Sequence, residues 1–188
     1  MYKIYFKRPF DFSLAILCLI ILAPIFVLLG LSILIFDGGP IIFISFRTGK
    51  NESKFKLFKF RSMPVGTKLL ASDDAKDIRI KPLGKFLRRF NFDELPQLWN
   101  ILIGDMSFVG PRPPLPSQKE LIKLRKEHGI LNCRPGLTGL AQINGYNGMK
   151  IEDKAKQDLE YASKITFLLD IKIILKTFSY LAKPPPIY

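Results

Sequence analysis

The sequence has few of the residues that build metal centres and disulfide frameworks. Its 188 residues include two cysteines and one histidine. Cys18 and Cys133 lie far apart, so they form neither a paired metal-ligand spacing nor the framework of a disulfide-rich secreted domain. His128 lies in a charged segment without neighbouring ligands, and we interpret it as a surface residue. These shortages argue against a Cys/His metal site and fit a reducing cytoplasm.

Acidic residues are scarce beside the basic ones. The chain carries 16 Asp and Glu against 29 Lys and Arg, a formal net charge of +13. A surface with this balance attracts anions, so nucleic acid, anionic lipid and phosphorylated small molecules are all candidate partners. The length fits one compact domain with its own core and is short for two.

Charged side chains are absent from residues 12–36. At about 1.5 Å per residue, a helix of this length can cross a bilayer. The run is longer than the apolar part of a secretory signal, and no small-residue cleavage pattern follows it, so we expect a retained membrane segment.

Basic residues flank this segment on both sides. They are Lys3, Lys7 and Arg8 before it, and Arg47, Lys50, Lys54, Lys56, Lys59 and Arg61 after it. Because loops rich in Lys and Arg stay on the cytoplasmic side, both flanks favour the same side of the membrane. Pro24, near the midpoint, predicts a kink. Composition alone leaves open a re-entrant helix bent at Pro24 and a single-pass helix that tolerates the proline.

The rest of the chain predicts a mixture of helices and a hairpin. Apolar residues at 41–46 and 55–61, separated by a polar loop, indicate a β-hairpin. Helical periodicity predicts a basic amphipathic helix over 83–92 and a second helix from Asp93 to Gly104. Further helices are expected at 119–126, 151–164 and 167–183, and irregular loops at 64–77, 105–116 and 135–148. The apolar stripe of the last helix fits either a membrane interface or the core.

Asp93 and Glu94 are the strongest chemical signal in the sequence. The free amides and dipole at a helix start favour an ionised carboxylate in the first turn. Such a carboxylate can act as a nucleophile or hold a divalent cation. Acids at helix starts are also ordinary capping residues, so the pair alone leaves both interpretations open.

Several basic residues lie in segments that can converge on this pair: Lys59, Arg61, Arg88, Arg89, Arg112 and Arg134. Arginine offers forked donors suited to phosphate oxygens. Arg112 stands between two prolines of fixed φ, which favours rigid presentation of its side chain. For each arginine taken separately, a solvated surface position is the alternative.

Four motifs in one order resemble the bacterial sugar transferase family, the small monotopic polyprenyl-phosphate phosphoglycosyl transferases. They lie at 59–63, 93–98, 104–113 and 134–142. With the apolar helix interrupted by a proline, they extend the resemblance over essentially the whole chain. The family often has Ser-Pro at that break, where this chain has Ala23-Pro24, and often an arginine where this chain has Tyr146.

The resemblance implies a two-step transfer. Asp93 would attack the β-phosphate of a UDP-sugar, expel UMP and form a covalent phosphosugar intermediate, which polyprenyl phosphate then discharges. Glu94 would assist as a proton handler or, with Asp93, as a ligand of Mg²⁺. Arg88, Arg112 and Lys59 would hold phosphate oxygens. Arg134, in the fourth motif, is a further candidate for substrate binding.

The resemblance also implies an architecture and a location. The expected class is α+β, mostly helical, with a re-entrant membrane helix at 1–36, a small β-hairpin and amphipathic interface helices. Residues 37–188 would form a catalytic domain on the cytoplasmic face of a bacterial inner membrane, in contact with membrane lipids and not with nucleic acid. A homo-oligomer stays open. The rival class is a non-catalytic membrane anchor that binds acidic polymers, which needs no Asp-Glu pair.

Overall fold

The computed structural model describes residues 1–67, 80–145 and 148–181. Over these residues the chain forms seven α-helices and two small two-stranded sheets. This confirms a mostly helical α+β protein with a long apolar helix at its N-terminus. Most of the predicted loop at 64–77 lies outside the described residues, as do Tyr146 and Lys183.

The N-terminal helix is the longest element. A π-helical turn, Tyr2–Phe6, leads into α1, Lys7–Asp37, which contains Pro24 and continues past it. The helix is long and apolar enough to cross a membrane, and only 11% of its most apolar 18-residue window is buried. A helix in the core of a soluble protein would bury most of such a window. Most of α1 therefore presents apolar side chains to its surroundings.

One side of α1 packs against the rest of the chain along its length. Ala15, in the first half, belongs to the main core together with Ile101 and Met106. Leu29 and Ile33, in the second half, pack in a second cluster that contains Phe60 and Leu87. Both halves of α1 therefore pack against the residues that follow the helix in the chain.

The predicted hairpin is confirmed. Strands β1, Ile42–Thr48, and β2, Lys54–Phe60, pair antiparallel. The fully buried Asn100 connects β2 to the helix on which Asn100 lies. Its side-chain Nδ2 donates to the Lys56 carbonyl at 2.7 Å, and its Oδ1 accepts from the Phe58 amide at 3.0 Å. This bridge fixes the end of β2 next to Lys59.

The predicted basic helix is α2, Pro82–Arg89, but the prediction that the next helix begins at Asp93 is wrong. Residues Phe92–Glu94 form a separate 3₁₀ turn, and α3 is Gln97–Ile103. Pro96 has no N–H to donate to the Phe92 carbonyl, so an α-helical bond is missing at that point. Instead the Leu95 amide donates to the Phe92 carbonyl at 3.3 Å, in the tighter 3₁₀ pattern.

The two glycine-rich loops predicted to be irregular contain regular structure. Strands β3, Ser107–Val109, and β4, Gly136–Thr138, pair in parallel. Their backbones approach so closely that a Cβ on Gly136 would lie 2.1 Å from the Gly110 nitrogen. The prediction of irregular loops is wrong here, because these glycines allow two strands to pack backbone to backbone.

Four helices complete the fold. They are α4, Lys119–Glu127; α5, Leu140–Ile143; α6, Ile151–Ser163; and α7, Phe167–Leu181. The helices expected at 119–126, 151–164 and 167–183 are confirmed to within a few residues, whereas α5 lies inside a predicted loop. In the last helix Ile173 is buried in the core, which confirms the core option for that side of the stripe, whereas Leu175 and Phe178 are exposed. Contact of the exposed side with a membrane interface stays a prediction.

Gly136→Ala is expected to lower the stability of the fold by about 1–3 kcal/mol, because the new methyl group meets backbone atoms that no side-chain rotation can move away. The measurement is the melting temperature of the purified protein. Gly30→Ala is the matched control, since its Cβ would meet Ile41 at an ordinary 3.6 Å. Equal melting temperatures for the two variants would contradict the close approach of β3 and β4.

Candidate active site

Three of the four sequence motifs meet at Glu94. The 3₁₀ turn that carries Asp93 and Glu94 packs against β2, from which Lys59 donates to Glu94 Oε1 at 2.6 Å. Arg112, in the loop after β3, donates to the same oxygen at 3.3 Å. The Glu94 side chain is 15% exposed, so both contacts are largely shielded from water. Strand, turn and loop together build one charged cluster.

Asp93 lies in the same cluster and is the more deeply buried acid, with 7% of its surface exposed. Burial raises its pKa above the ordinary range for aspartate, and the neighbouring charge of Glu94 raises it further. Lys59, Arg88 and Arg112 lower the pKa of Asp93 without overcoming burial. The expectation that a helix start keeps this carboxylate ionised is therefore corrected: cations, and not an α-helical first turn, offset its buried charge.

Glu94 behaves in the opposite way. Burial alone would raise its pKa, but Lys59 and Arg112 outweigh burial and lower the pKa to about 2. Glu94 is therefore an anion at every physiological pH and holds two cations in place. Two adjacent carboxyl groups whose pKa values are driven apart are typical of sites in which each carboxyl has its own task.

Two of the predicted basic residues lie elsewhere. Arg134 donates through Nε to the Gly104 carbonyl at 2.9 Å, at the end of α3 opposite the acids. Arg61 is buried and donates to the carbonyls of residues 37–39, where α1 ends. Arg61 thus secures the connection between α1 and the hairpin. Substrate binding by Arg134 stays a prediction.

Sequence reasoning missed residues that fix the elements next to the site without belonging to the charged cluster. Asn100 was one of them, and its signal is a polar residue between Trp99 and Ile101 in an apolar helix. Arg8 was another: its two terminal nitrogens donate to the Ile101 and Leu102 carbonyls at 2.6 and 2.7 Å, so α1 supplies a cap to the C-terminus of α3. No local pattern marks such a long-range contact.

The chain is similar to known proteins over most of its length. The family model described as bacterial sugar transferase matches residues 2–184. An undecaprenyl-phosphate glucose phosphotransferase of Komagataeibacter xylinus is 40% identical, over 91% of this chain and 35% of its own length. A UDP-glucose:undecaprenyl-phosphate glucose-1-phosphate transferase of Escherichia coli K12 is 38% identical, over 91% of this chain and 39% of its own length.

Another relative is similar in size to this chain. The exopolysaccharide production protein ExoY of Sinorhizobium fredii is 38% identical, over 91% of this chain and 83% of its own length. The chain thus spans well under half the length of the first two relatives and most of the third. The family model matches nearly every residue, and three of the four motifs meet at one pair of carboxylates. The chain therefore belongs to the bacterial sugar transferase family.

Proposed function

We propose that the chain transfers a sugar 1-phosphate from a UDP-sugar to a polyprenyl phosphate such as undecaprenyl phosphate, as the first membrane step of a surface glycan. The observation that carries the proposal is the buried carboxylate of Asp93, which stands beside Glu94 and is offset by Lys59, Arg88 and Arg112. The names of relatives support the substrate class, among them a glucose-1-phosphate transferase and, in Salmonella typhimurium, an undecaprenyl-phosphate galactose phosphotransferase.

The reaction runs in two displacements at phosphorus. A carboxylate oxygen of Asp93 attacks the β-phosphorus of the UDP-sugar, the bond from that phosphorus to the bridging oxygen breaks, and UMP leaves with the electron pair. A phosphate oxygen of the polyprenyl phosphate then attacks the same phosphorus, and Asp93 leaves as a carboxylate. A raised pKa favours this role, because the ionised oxygen is a stronger base than an ordinary aspartate.

The cations around Asp93 stabilise phosphate charge in both steps. Arg112 contacts Glu94 at 3.3 Å, whereas Lys59 contacts it at 2.6 Å, so Arg112 is the easier of the two for a phosphate oxygen to recruit. Arg88 completes the group on the side of α2. Glu94 keeps Lys59 and Arg112 in place between turnovers.

The residues present fit a magnesium ion. Mg²⁺ in phosphate-handling sites takes one or two carboxylates together with water and substrate phosphate oxygens. Asp93 and Glu94 offer neighbouring carboxylates of this kind, and no larger cluster of acidic, cysteine and histidine ligands occurs in the part of the chain that the structure describes. When bound, the ion would neutralise charge on the diphosphate. Both residues would hold it while Asp93 keeps one oxygen for the attack.

The position of α1 supports a monotopic topology with the domain on the cytoplasmic face. At the start of α1, Lys7 pairs with Asp170 of α7 at 2.6 Å. At its end, Asp37 pairs with Lys81 at 2.9 Å. A helix that crossed the bilayer would carry one of these pairs to the outer face or into the hydrocarbon, where charges are costly. A re-entrant helix keeps both pairs on the basic cytoplasmic side, at the depth of the polyprenyl phosphate headgroup.

This topology predicts the same accessibility for two distant positions. In a Cys18→Ser, Cys133→Ser background, single cysteines at the exposed positions Lys3→Cys and Lys119→Cys are both expected to resist a membrane-impermeant thiol reagent in intact cells. Both should react after permeabilisation, which is the control. Labelling of Lys3→Cys from outside while Lys119→Cys stays protected would refute the re-entrant helix.

The activity is tested by UMP release from a panel of UDP-sugars, each with and without polyprenyl phosphate. Sustained turnover should require both substrates and Mg²⁺, and the panel identifies the sugar. A membrane anchor that only binds acidic polymers releases no UMP with any of them. That outcome would refute the proposed function.

A further inference from the structure

Arg125 is a fully buried arginine outside the carboxylate cluster. It lies in α4 and is 1% exposed. One edge of its guanidinium faces Asp158 of α6, with Nε and Nη2 donating to Oδ2 at 2.9 and 2.5 Å. Asp158 is itself 1% exposed. The two form a dry ion pair between helices that carry no substrate contact in the proposed reaction.

The remaining nitrogen of Arg125 reaches the active-site loop. Its Nη1 donates to the main-chain carbonyl of Arg112 at 2.8 Å. Arg112 thus accepts from Arg125 through its main chain and donates to Glu94 through its side chain. A chain of direct contacts therefore runs from Asp158 through Arg125 and Arg112 to Glu94, the neighbour of Asp93.

The loop around Arg112 depends on such contacts through its carbonyls. Pro111, Pro113 and Pro114 have no N–H groups, so this stretch has few donors of its own. Each of the four successive carbonyls instead accepts from a different partner: Pro111 from the Gly136 amide at 2.9 Å, Arg112 from Arg125, Pro113 from Arg47 Nη1 at 3.4 Å, and Pro114 from the Thr48 amide at 3.1 Å. Arg125 supplies the contact at Arg112, the residue to which the proposed function assigns phosphate oxygens.

Stability alone gives little reason for this pair. A buried ion pair loses much of its attraction to the cost of removing both charges from water, and apolar side chains of similar size often stabilise a fold as well. An apolar residue at position 125 would leave the Arg112 carbonyl without its partner. The pair thus supplies a fixed hydrogen bond to the Arg112 carbonyl in this loop.

We propose that Arg125, oriented by Asp158, is a positioning residue that sets the guanidinium of Arg112 for the phosphates of the nucleotide sugar. The inference rests on the proposed function, since it assigns Arg112 a substrate phosphate. Arg125 acts through Arg112 and does not itself touch substrate. Removing the pair should therefore matter only while Arg112 is present.

A double-mutant cycle tests this dependence. The variant Arg125→Met with Asp158→Leu replaces both charges by apolar groups, and is expected to keep its fold and to lose about 10²-fold in kcat/KM for the UDP-sugar through displacement of Arg112. Arg112→Ala should lose at least as much. When all three changes are combined, the loss should equal that of Arg112→Ala alone to within about twofold.

Two further variants keep the test decisive. Lys123→Ala with Glu127→Ala, an exposed pair on the same helix, is the control and should retain wild-type kcat/KM. If the double apolar variant does not fold, Asp158→Asn replaces it in the cycle, because it weakens the ion pair with Arg125 with little change of shape. Asp158→Asn should lose less kcat/KM, and it should add no further loss when Arg112→Ala is present. Additive losses in a folded protein, as expected for a merely structural pair, would overturn the inference.

The inference and the proposed function fail in different ways. A wild-type protein that releases no UMP refutes the function, and the positioning role with it. An active wild-type protein with additive losses refutes the positioning role only. Hydrogen exchange gives a readout independent of turnover: the amide of Gly136, which donates to the Pro111 carbonyl next to Arg112, should exchange faster in the apolar variant than in wild type. Unchanged exchange would also count against the role of Arg125.

Discussion

Asp93→Asn is expected to reduce UMP release by at least about 10⁴-fold and to leave the melting temperature at or above that of the wild type. The first effect follows because an amide cannot displace UMP from phosphorus. The second follows from burial: the pKa of Asp93 is raised in the fold, so its ionised form destabilises the native state at neutral pH. A neutral side chain of the same shape removes that cost.

The measurements are UMP release and thermal unfolding on the same preparations. Asp153→Asn, at an exposed acid in α6, is the control and should change neither. Substantial turnover by Asp93→Asn would remove Asp93 from the role of nucleophile. A melting temperature well below wild type would show instead that ionised Asp93 stabilises the fold, contrary to the effect of its burial.

Lys59→Met and Glu94→Gln are expected to move the acid limb of the pH–rate profile in opposite directions. Lys59 lowers the pKa of Asp93, so its loss raises the pH at which kcat/KM falls by half. Glu94 raises that pKa, so its neutralisation shifts the limb to lower pH. Loss of one cation from a site that stabilises phosphate charge should also reduce kcat/KM of Lys59→Met at neutral pH by about 10²-fold.

The quantity to measure is kcat/KM against pH, which reports groups of the free enzyme. Lys56→Met, at an exposed position of the same strand, is the matched control and should keep the wild-type profile. Shifts of the two site variants in the same direction would contradict the assignment of the limb to Asp93.

Stability changes do not obscure this limb. The pKa of Glu94 is about 2 in the fold and about 4.3 in an unfolded chain, so its ion pairs contribute stability that is complete above about pH 4.3. That contribution is lost as the pH falls from there toward 2. The raised pKa of Asp93 has the opposite effect on stability, because protonation at lower pH removes the cost of burying the ionised carboxylate. An acid limb above about pH 4.3 is therefore not a loss of the Glu94 ion pairs, and the opposite shifts of the two variants test whether Asp93 causes it.

Local patterns in the sequence predict those parts of the structure that depend on near neighbours. Alternating apolar residues predict the hairpin, and helical periodicity predicts α2, α4, α6 and α7, because each of these elements buries one face whose spacing is visible in a short window. Helix-start acids and basic residues in neighbouring segments already indicate Asp93, Glu94, Lys59, Arg88 and Arg112, and the family resemblance assigns their roles. The fold brings these five residues together.

Contacts between distant segments are what the sequence does not reveal. A capping argument considers one helix in isolation and predicts a start at Asp93, whereas Pro96 delays the α-helical pattern and α3 begins at Gln97. The pairing of β3 with β4 joins segments almost thirty residues apart and depends on glycines that resemble loop residues. The link from Arg125 to the Arg112 carbonyl has no side-chain signature at position 112, because the acceptor is the main chain.

The proposed mechanism requires Asp93 to become covalently bonded to phosphorus during the reaction. Incubation of the wild-type protein with a UDP-sugar and Mg²⁺, without polyprenyl phosphate, followed by mass spectrometry of acid-quenched peptides, tests it directly. We expect an added sugar phosphate on the peptide that contains Asp93, which disappears when polyprenyl phosphate is supplied and never forms in Asp93→Asn. Turnover without any adduct, or an adduct on a residue other than Asp93, would contradict the mechanism.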